Sequence, residues 1–187
     1  MMVQADEMLL AAVAGGDEGA LRALYERHAA VMLRLLRRLT ADAAEAEDVM
    51  QEAWLAVWAS AGTFRGESSV RGWLLGVARR TGHDKLRRKT LARADLEEAA
   101  NVAYPDPGVE EQVLAAAGLA RIEAAIERLP PMLREVVVLA LVEDLPYRDV
   151  AAAVGVPLGT VKSRMWLARR RLAADLTATR AQEGPLP

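Results

Sequence analysis

The densest chemistry in this 187-residue sequence lies between Leu158 and Leu172. Lys162, Arg164, Arg169, Arg170 and Arg171 are cationic, and no acidic residue interrupts the run from Leu158 to Arg171. On a helix of about 3.6 residues per turn, Val161, Met165, Ala168 and Leu172 share one face. Gly159, Ser163, Trp166 and Arg170 then point the opposite way. Lys162 and Arg169 flank them on one side, and Leu167 and Arg171 lie towards the other. Cations on such a face neutralise backbone phosphates and release counterions, so DNA affinity falls steeply with salt. A hydroxyl such as Ser163 suits the base edges of a major groove. The bland alternative is a solvated basic helix in a helical bundle. The preceding residues weigh against it. Tyr147 to Val154 forms a short helix with Val150, Ala151 and Val154 on one side. Gly155-Val156-Pro157 then supplies a tight turn and a helix-starting proline. Together these make a helix-turn-helix pattern.

A second cationic run occupies Val70 to Lys89. Arg71, Arg79, Arg80, Lys85, Arg87, Arg88 and Lys89 are interrupted by one acid, Asp84. Val70, Trp73, Leu74 and Val77 supply its apolar side. Opening a duplex needs cations on the displaced strand, a pocket for an unstacked base and polar groups to read it. The helix offers the cations. The loop Phe64 to Ser69 offers the rest, with Gly66 for close backbone approach and Arg65, Glu67 or Ser68 for hydrogen bonds. Phe64 and Trp73 also fit a simpler role, closing the core. Just before this, Ala43 to Ser60 reads as an amphipathic helix. Met50, Trp54, Val57 and Trp58 fall on its core side and Glu45, Asp48 and Glu52 on the other.

The elements that must position these groups are all helices. Aromatic residues are only 4% of the chain, and no long stretch alternates with period two. Asp6 to Ala14 makes a short helix stopped by Gly15-Gly16. Asp17 caps a helix to about Leu39, with Leu21, Leu24, Tyr25, Val31 and Leu35 at helical spacing. Asp42 and Glu45 form a capping box for the third helix. Ser68 or Ser69 caps a fourth, reaching Lys89. The charged residues from Asp95 to Gln112 are Asp95, Glu97, Glu98, Asp106, Glu110 and Glu111, all acidic, and Tyr104-Pro105-Asp106-Pro107-Gly108 cannot continue a helix. Helices resume over Leu119 to Leu129, Pro131 to Glu143, Tyr147 to Val154 and Leu158 to about Leu176. The expected fold is all-α, two small helical domains joined by a flexible acidic linker.

Other functions find little support. The net charge of −2 gives no sign of nucleic-acid binding, so the clustering of charge is the better guide. The absence of cysteine excludes disulfides, thiolate zinc sites and thiol catalysis. His28 and His83 stand alone, no glycine-rich phosphate loop follows a strand, and Ser68 and Ser69 lack a base partner. The expectation is a chain with no enzyme activity, no metal and no cofactor. Met1 to Leu10 carries Asp6 and Glu7 and lacks a basic leader, and no apolar run reaches the roughly 20 residues that span a bilayer. A cytoplasmic protein without membrane insertion is expected.

Five segments carry a family resemblance. Leu129-Pro130-Pro131-Met132-Leu133-Arg134-Glu135-Val136-Val137, Tyr147-Arg148-Asp149-Val150-Ala151 and Gly159-Thr160-Val161-Lys162-Ser163-Arg164 resemble region 4 of bacterial RNA polymerase sigma factors. Ala46-Glu47-Asp48-Val49-Met50-Gln51-Glu52-Ala53-Trp54-Leu55 resembles their region 2.2. Phe64-Arg65-Gly66-Glu67-Ser68-Ser69-Val70-Arg71-Gly72-Trp73-Leu74 resembles regions 2.3 and 2.4. Two positions depart from the usual region 4 pattern: Leu167 where Arg is common, and Arg171 where a small residue is common.

Region 2 and region 4 without a middle domain point to the extracytoplasmic-function (ECF) subfamily. The resemblance implies region 2 over residues 1–93, an acidic linker over 94–117, region 4 over 118–178 and a disordered tail over 179–187. It implies that Thr160, Lys162, Ser163, Arg164, Trp166, Arg169 and Arg170 contact the minus-thirty-five element. Phe64, Arg65, Gly66, Glu67, Ser68, Arg71, Arg79, Arg80, Arg87 and Arg88 would hold the opened minus-ten element. Asp48, Gln51 and Glu52 would contact core RNA polymerase at its β′ coiled coil, and region 4 its β flap. An anti-sigma factor, often membrane-bound, is the further partner implied. The acidic linker would thread towards the RNA exit path or serve as a solubilising spacer. Two other readings stay open. A stand-alone helix-turn-helix regulator explains the second half and leaves Asp48 to Lys89 without a role. A helical adaptor has no use for the basic faces.

Overall fold

The structure is a computed structural model and describes residues 5–40, 42–94 and 115–182. The acidic residues between Asp95 and Glu111, and the end of the tail from Glu183, lie outside these. Among the described residues there are eight α-helices and no strand, as the composition predicts. They are α1 (Asp6–Ala14), α2 (Glu18–Arg37), α3 (Ala43–Ser60), α4 (Val70–Ala94), α5 (Ala115–Glu127), α6 (Pro131–Val137), α7 (Tyr147–Val154) and α8 (Leu158–Gln182). The chain divides into two compact units, one built around α1–α4 and the other around α5–α8, with Ala152–Gly155 at the end of α7 grouped with the first.

The starts of the helices follow from side-chain caps. The Asp17 carboxylate accepts from the Ala20 amide at 3.0 Å, and Asp42 accepts from the Glu45 amide at 2.7 Å. Ser69, not Ser68, caps α4, accepting from the Gly72 amide at 3.1 Å. Each such cap contributes about 1 kcal/mol. A single 3-10 turn, Ala61–Thr63, carries the chain out of α3. Gly66 then takes a φ of 69°, a left-handed conformation that glycine adopts at no steric cost.

In the first unit α2, α3 and α4 pack on one another, and α1 closes the bundle against α2. The core comprises Leu9, Leu10 and Val13 of α1, Leu24, Met32 and Leu36 of α2, Val49, Ala53 and Val57 of α3, and Leu74, Leu75 and Ala78 of α4. Two expected core residues sit further out. Trp58 is 37% exposed and Tyr25 48% exposed, because Val49, Ala53 and Val57 already fill the inner face of α3. Tyr25 instead covers Trp54, ring centroids 5.2 Å apart. His28 is not solitary either: it is buried, and its Nε2 lies 2.7 Å from an Asp6 carboxylate oxygen.

In the second unit α5 and α6 both pack on α8. The expected continuous helix from Pro131 to Glu143 is interrupted. Val138–Val142 widens into a π-helical turn, with the Glu143 amide bonded to the Val138 carbonyl at 2.9 Å. This turn keeps Val138, Leu139 and Ala140 inside and buries Glu143. Asp144 then takes a φ of 50°, a conformation aspartate tolerates better than most residues. Three helices outrun their expected limits. α4 continues past Lys89 and α8 past Leu176, since their Ala- and Arg-rich ends carry no breaker, and α5 starts before Leu119 even though Gly118 lies in its first turn.

Candidate nucleic-acid interface

The turn between α7 and α8 forms as its residues dictate. Gly155 has a φ of 69°, and the Val156 amide closes back on the Ala151 carbonyl at 3.1 Å. Pro157 opens α8, its carbonyl taking the Thr160 and Val161 amides at 2.9 and 3.2 Å. Val150, Ala153 and Val154 of α7 are buried, as are Val161, Met165 and Ala168 of α8; Leu172 is half-buried. The rotation of α8 is therefore the one the spacing predicts.

Lys162, Ser163, Trp166, Arg169 and Arg170 are consequently exposed, and Thr160 and Arg164 half-buried. Trp166 is 60% exposed, and the Arg170 guanidinium carbon lies 4.8 Å from its ring centroid. Ser163 donates to the Gly159 carbonyl at 3.0 Å, so its oxygen keeps acceptor capacity outward. Arg169 donates to the Tyr147 hydroxyl at 3.2 Å, linking α8 to the first residue of α7. Arg164 turns away from this face and approaches the Met132 sulfur of α6 at 3.7 Å. The Tyr147 and Met132 partners have no signature in helical spacing, because each belongs to another helix.

The basic α4 surface divides by rotation. Arg80, Arg87 and Arg88 are exposed, while Arg71 and Arg79 are half-buried. Arg87 also pairs with Asp84 at 3.1 Å. In the loop before α4, Arg65, Gly66 and Glu67 are exposed, and Phe64 and Ser68 are half-buried. Phe64 meets Trp73 edge-on, centroids 5.9 Å apart and planes at 72°. The two half-buried aromatics thus pack together between the loop and α4.

The acidic row of α3 runs beside α4 rather than facing solvent alone. Lys85 lies 2.9 Å from Glu52 and 3.8 Å from Asp48, and Lys89 lies 2.8 Å from Glu45. The pairing order makes the two helices antiparallel. Asp48, Gln51 and Glu52 all remain exposed. Among the described residues, no group of three or more His, Asp or Glu is placed to hold a metal, and no helix is long and apolar enough to cross a membrane.

Two helical units, the second carrying a helix-turn-helix with a basic outer face, define a class that sequence comparison identifies. The family model for Sigma-70 region 2 matches residues 24–91, and that for Sigma-70, region 4 matches residues 119–172. The chain belongs to the sigma-70 family of RNA polymerase sigma factors.

Full-length relatives narrow this to the ECF subfamily. The chain is 30% identical over 182 residues to the RNA polymerase sigma factor CnrH of Cupriavidus metallidurans, covering 93% of this chain and 95% of the relative. It is 35% identical over 171 residues to the ECF RNA polymerase sigma factor SigM of Mycobacterium tuberculosis, covering 91% and 84%. The solved structure of CnrH in complex with the cytosolic domain of CnrY superposes with a TM-score of 0.66, at 25% identity, over 94% of this chain and 99% of that one. The fold is also that of RpoE from Bartonella quintana, with a TM-score of 0.62 at 24% identity, over 79% and 90%. This chain is therefore an ECF-type sigma factor, a partner of core RNA polymerase and promoter DNA in transcription initiation.

Proposed function

We propose that the two units divide promoter recognition, region 4 reading the minus-thirty-five element in duplex DNA and region 2 capturing the opened minus-ten element. The observation that carries this is the basic outer face of α8 around Ser163, with Lys162, Arg169 and Arg170 on it. Trp166 and Arg170 supply a stacked cation, Ser163 an acceptor, and Lys162 and Arg169 flanking charge for phosphates. Thr160 sits at the edge of the same surface, and Arg164 contributes once it leaves the Met132 sulfur that holds it off this face.

In region 2, Arg80, Arg87 and Arg88 track the displaced strand, with Arg71 and Arg79 nearer the loop. The loop Phe64-Arg65-Gly66-Glu67-Ser68 seats the unstacked base. Asp48, Gln51 and Glu52 dock on the β′ coiled coil, and region 4 meets the β flap. The proposed limits are region 2 at 1–93, linker at 94–117, region 4 at 118–178 and tail at 179–187.

The protein works in the cytoplasm, has no catalytic role of its own and leaves RNA synthesis to the polymerase. An anti-sigma factor controls it, a reading supported by the similarity to CnrH, solved with the cytosolic domain of CnrY. A stand-alone helix-turn-helix regulator leaves the region 2 match over residues 24–91 without a role.

The test is run-off transcription with bacterial core polymerase on a promoter library. Protein-dependent transcripts starting a fixed distance below a paired motif support the reading. Stable duplex binding by the chain alone, without core binding, returns weight to the regulator.

A further inference from the structure

The α3 surface assigned to core polymerase is already partly occupied by the protein's own cation. Asp48, Gln51 and Glu52 are exposed, and Leu55, one turn on, is 70% exposed on the same face. An uncovered leucine beside carboxylates and an amide has the make-up of an interface patch with an apolar centre and polar rim. Lys85 reaches into this patch from α4, 2.9 Å from Glu52 and 3.8 Å from Asp48. Its side chain is 27% exposed, against 44% for Glu52 and 71% for Asp48. The carboxylates are thus open on their outer side while bound to Lys85 on the inner. Hydrogen bonding to Glu52 is the main cause of the raised pKa of the Lys85 ammonium, with the charges of Glu52, Asp48 and Glu45 adding to it against the opposing effect of burial.

We propose that Lys85 sets the strength of the core-polymerase contact by competing with the partner's cations for Glu52 and Asp48. The inference rests on the sigma-factor reading of this surface. Two effects act in the same direction. Lys85 repels an approaching cationic surface, and it relieves the mutual repulsion of Glu45, Asp48 and Glu52 in the free protein. Removing it exposes more negative charge to the partner and leaves the unbound row less comfortable, so both changes favour binding. A cation that strengthens the free state at the expense of the bound one makes this sigma factor a weaker competitor for a limiting pool of polymerase. The position tunes the affinity of the interface from its inner edge.

The test measures the affinity of the full-length protein for core polymerase by equilibrium competition at fixed ionic strength. Lys85→Met should tighten binding about two- to fivefold, the range of one exposed ion pair. Lys85→Arg should stay near wild type. In a Glu52→Gln background, itself weakened, the gain from Lys85→Met should shrink towards none. Lys85→Gln serves as the second neutral variant if Lys85→Met folds poorly by circular dichroism. Unchanged or weakened binding in a folded Lys85 variant overturns the competition while leaving the docking surface in place. Glu52→Gln and Asp48→Asn binding like wild type would instead remove the surface assignment, and the inference with it.

Discussion

The guanidinium carbon of Arg170 lies 4.8 Å from the ring centroid of Trp166, one helical turn away on the outer face of α8. The pair holds a long cationic side chain in one orientation before DNA arrives, which lowers the ordering cost of binding. Trp166→Ala and Arg170→Ala should each weaken holoenzyme binding to a matched promoter by about five- to tenfold. The double variant should lose less than the two combined, with a coupling of about 0.5–1 kcal/mol. A duplex-binding titration of the four proteins gives the cycle directly. Full additivity would mean that the stacked arrangement has no part in recognition.

Lys162 tests the phosphate side of the same face. It is exposed at the flank of α8, where a point charge meets backbone rather than a base edge. Lys162→Ala should weaken matched and mismatched minus-thirty-five sequences alike. It should also reduce the slope of log affinity against log salt by about 0.9. Selective loss at one base pair would reassign Lys162 to base reading.

Most of this architecture was legible in the residues, and the failures share a cause. The period of α8, the turn before it and the caps of α2, α3 and α4 are local, so spacing and cap chemistry are enough. The contacts of Arg164 with Met132, of Arg169 with Tyr147 and of Lys85 with Glu52 join residues on different helices. Periodicity says which face a residue occupies but not what is packed against that face. Trp58 shows the same limit. Its position lies within the apolar arc of α3, yet that arc is wider than the neighbouring helices cover. The π-helical turn at Val138–Val142 has no signature in the sequence, because five consecutive apolar residues carry no marker of a register change.

Asp6 gives the stability of α1 a definite pH dependence. Burial pushes its carboxyl up, but Arg27 at 2.6 Å and His28 at 2.7 Å outweigh this and hold it below its ordinary value. A folded-state value below the unfolded one means stabilisation that is complete above the unfolded value of 3.8 and is lost as pH falls through the folded one. Asp6→Asn should cost about 1 kcal/mol at neutral pH. Urea denaturation across the acid range should show that difference narrowing below pH 3.8. A difference constant with pH would mean that shape, and not charge, holds α1 in place.

Phe64 separates a structural from a melting role in region 2. Its ring meets Trp73 edge-on at 5.9 Å and is half-buried, so it both braces the loop and borders the proposed base pocket. Phe64→Leu keeps apolar volume and should cost about 1 kcal/mol in stability. With only Phe64 and Trp73 available here, opening depends on how well the captured base fits. Phe64→Leu should therefore leave closed-complex affinity near wild type and lower the yield of open complexes several-fold. The loss should be largest on promoters with weak minus-ten sequences, where little other binding energy offsets unstacking. Permanganate footprinting of unpaired thymines across a minus-ten series measures this. Equal loss on weak and strong sequences would confine Phe64 to holding the loop against Trp73.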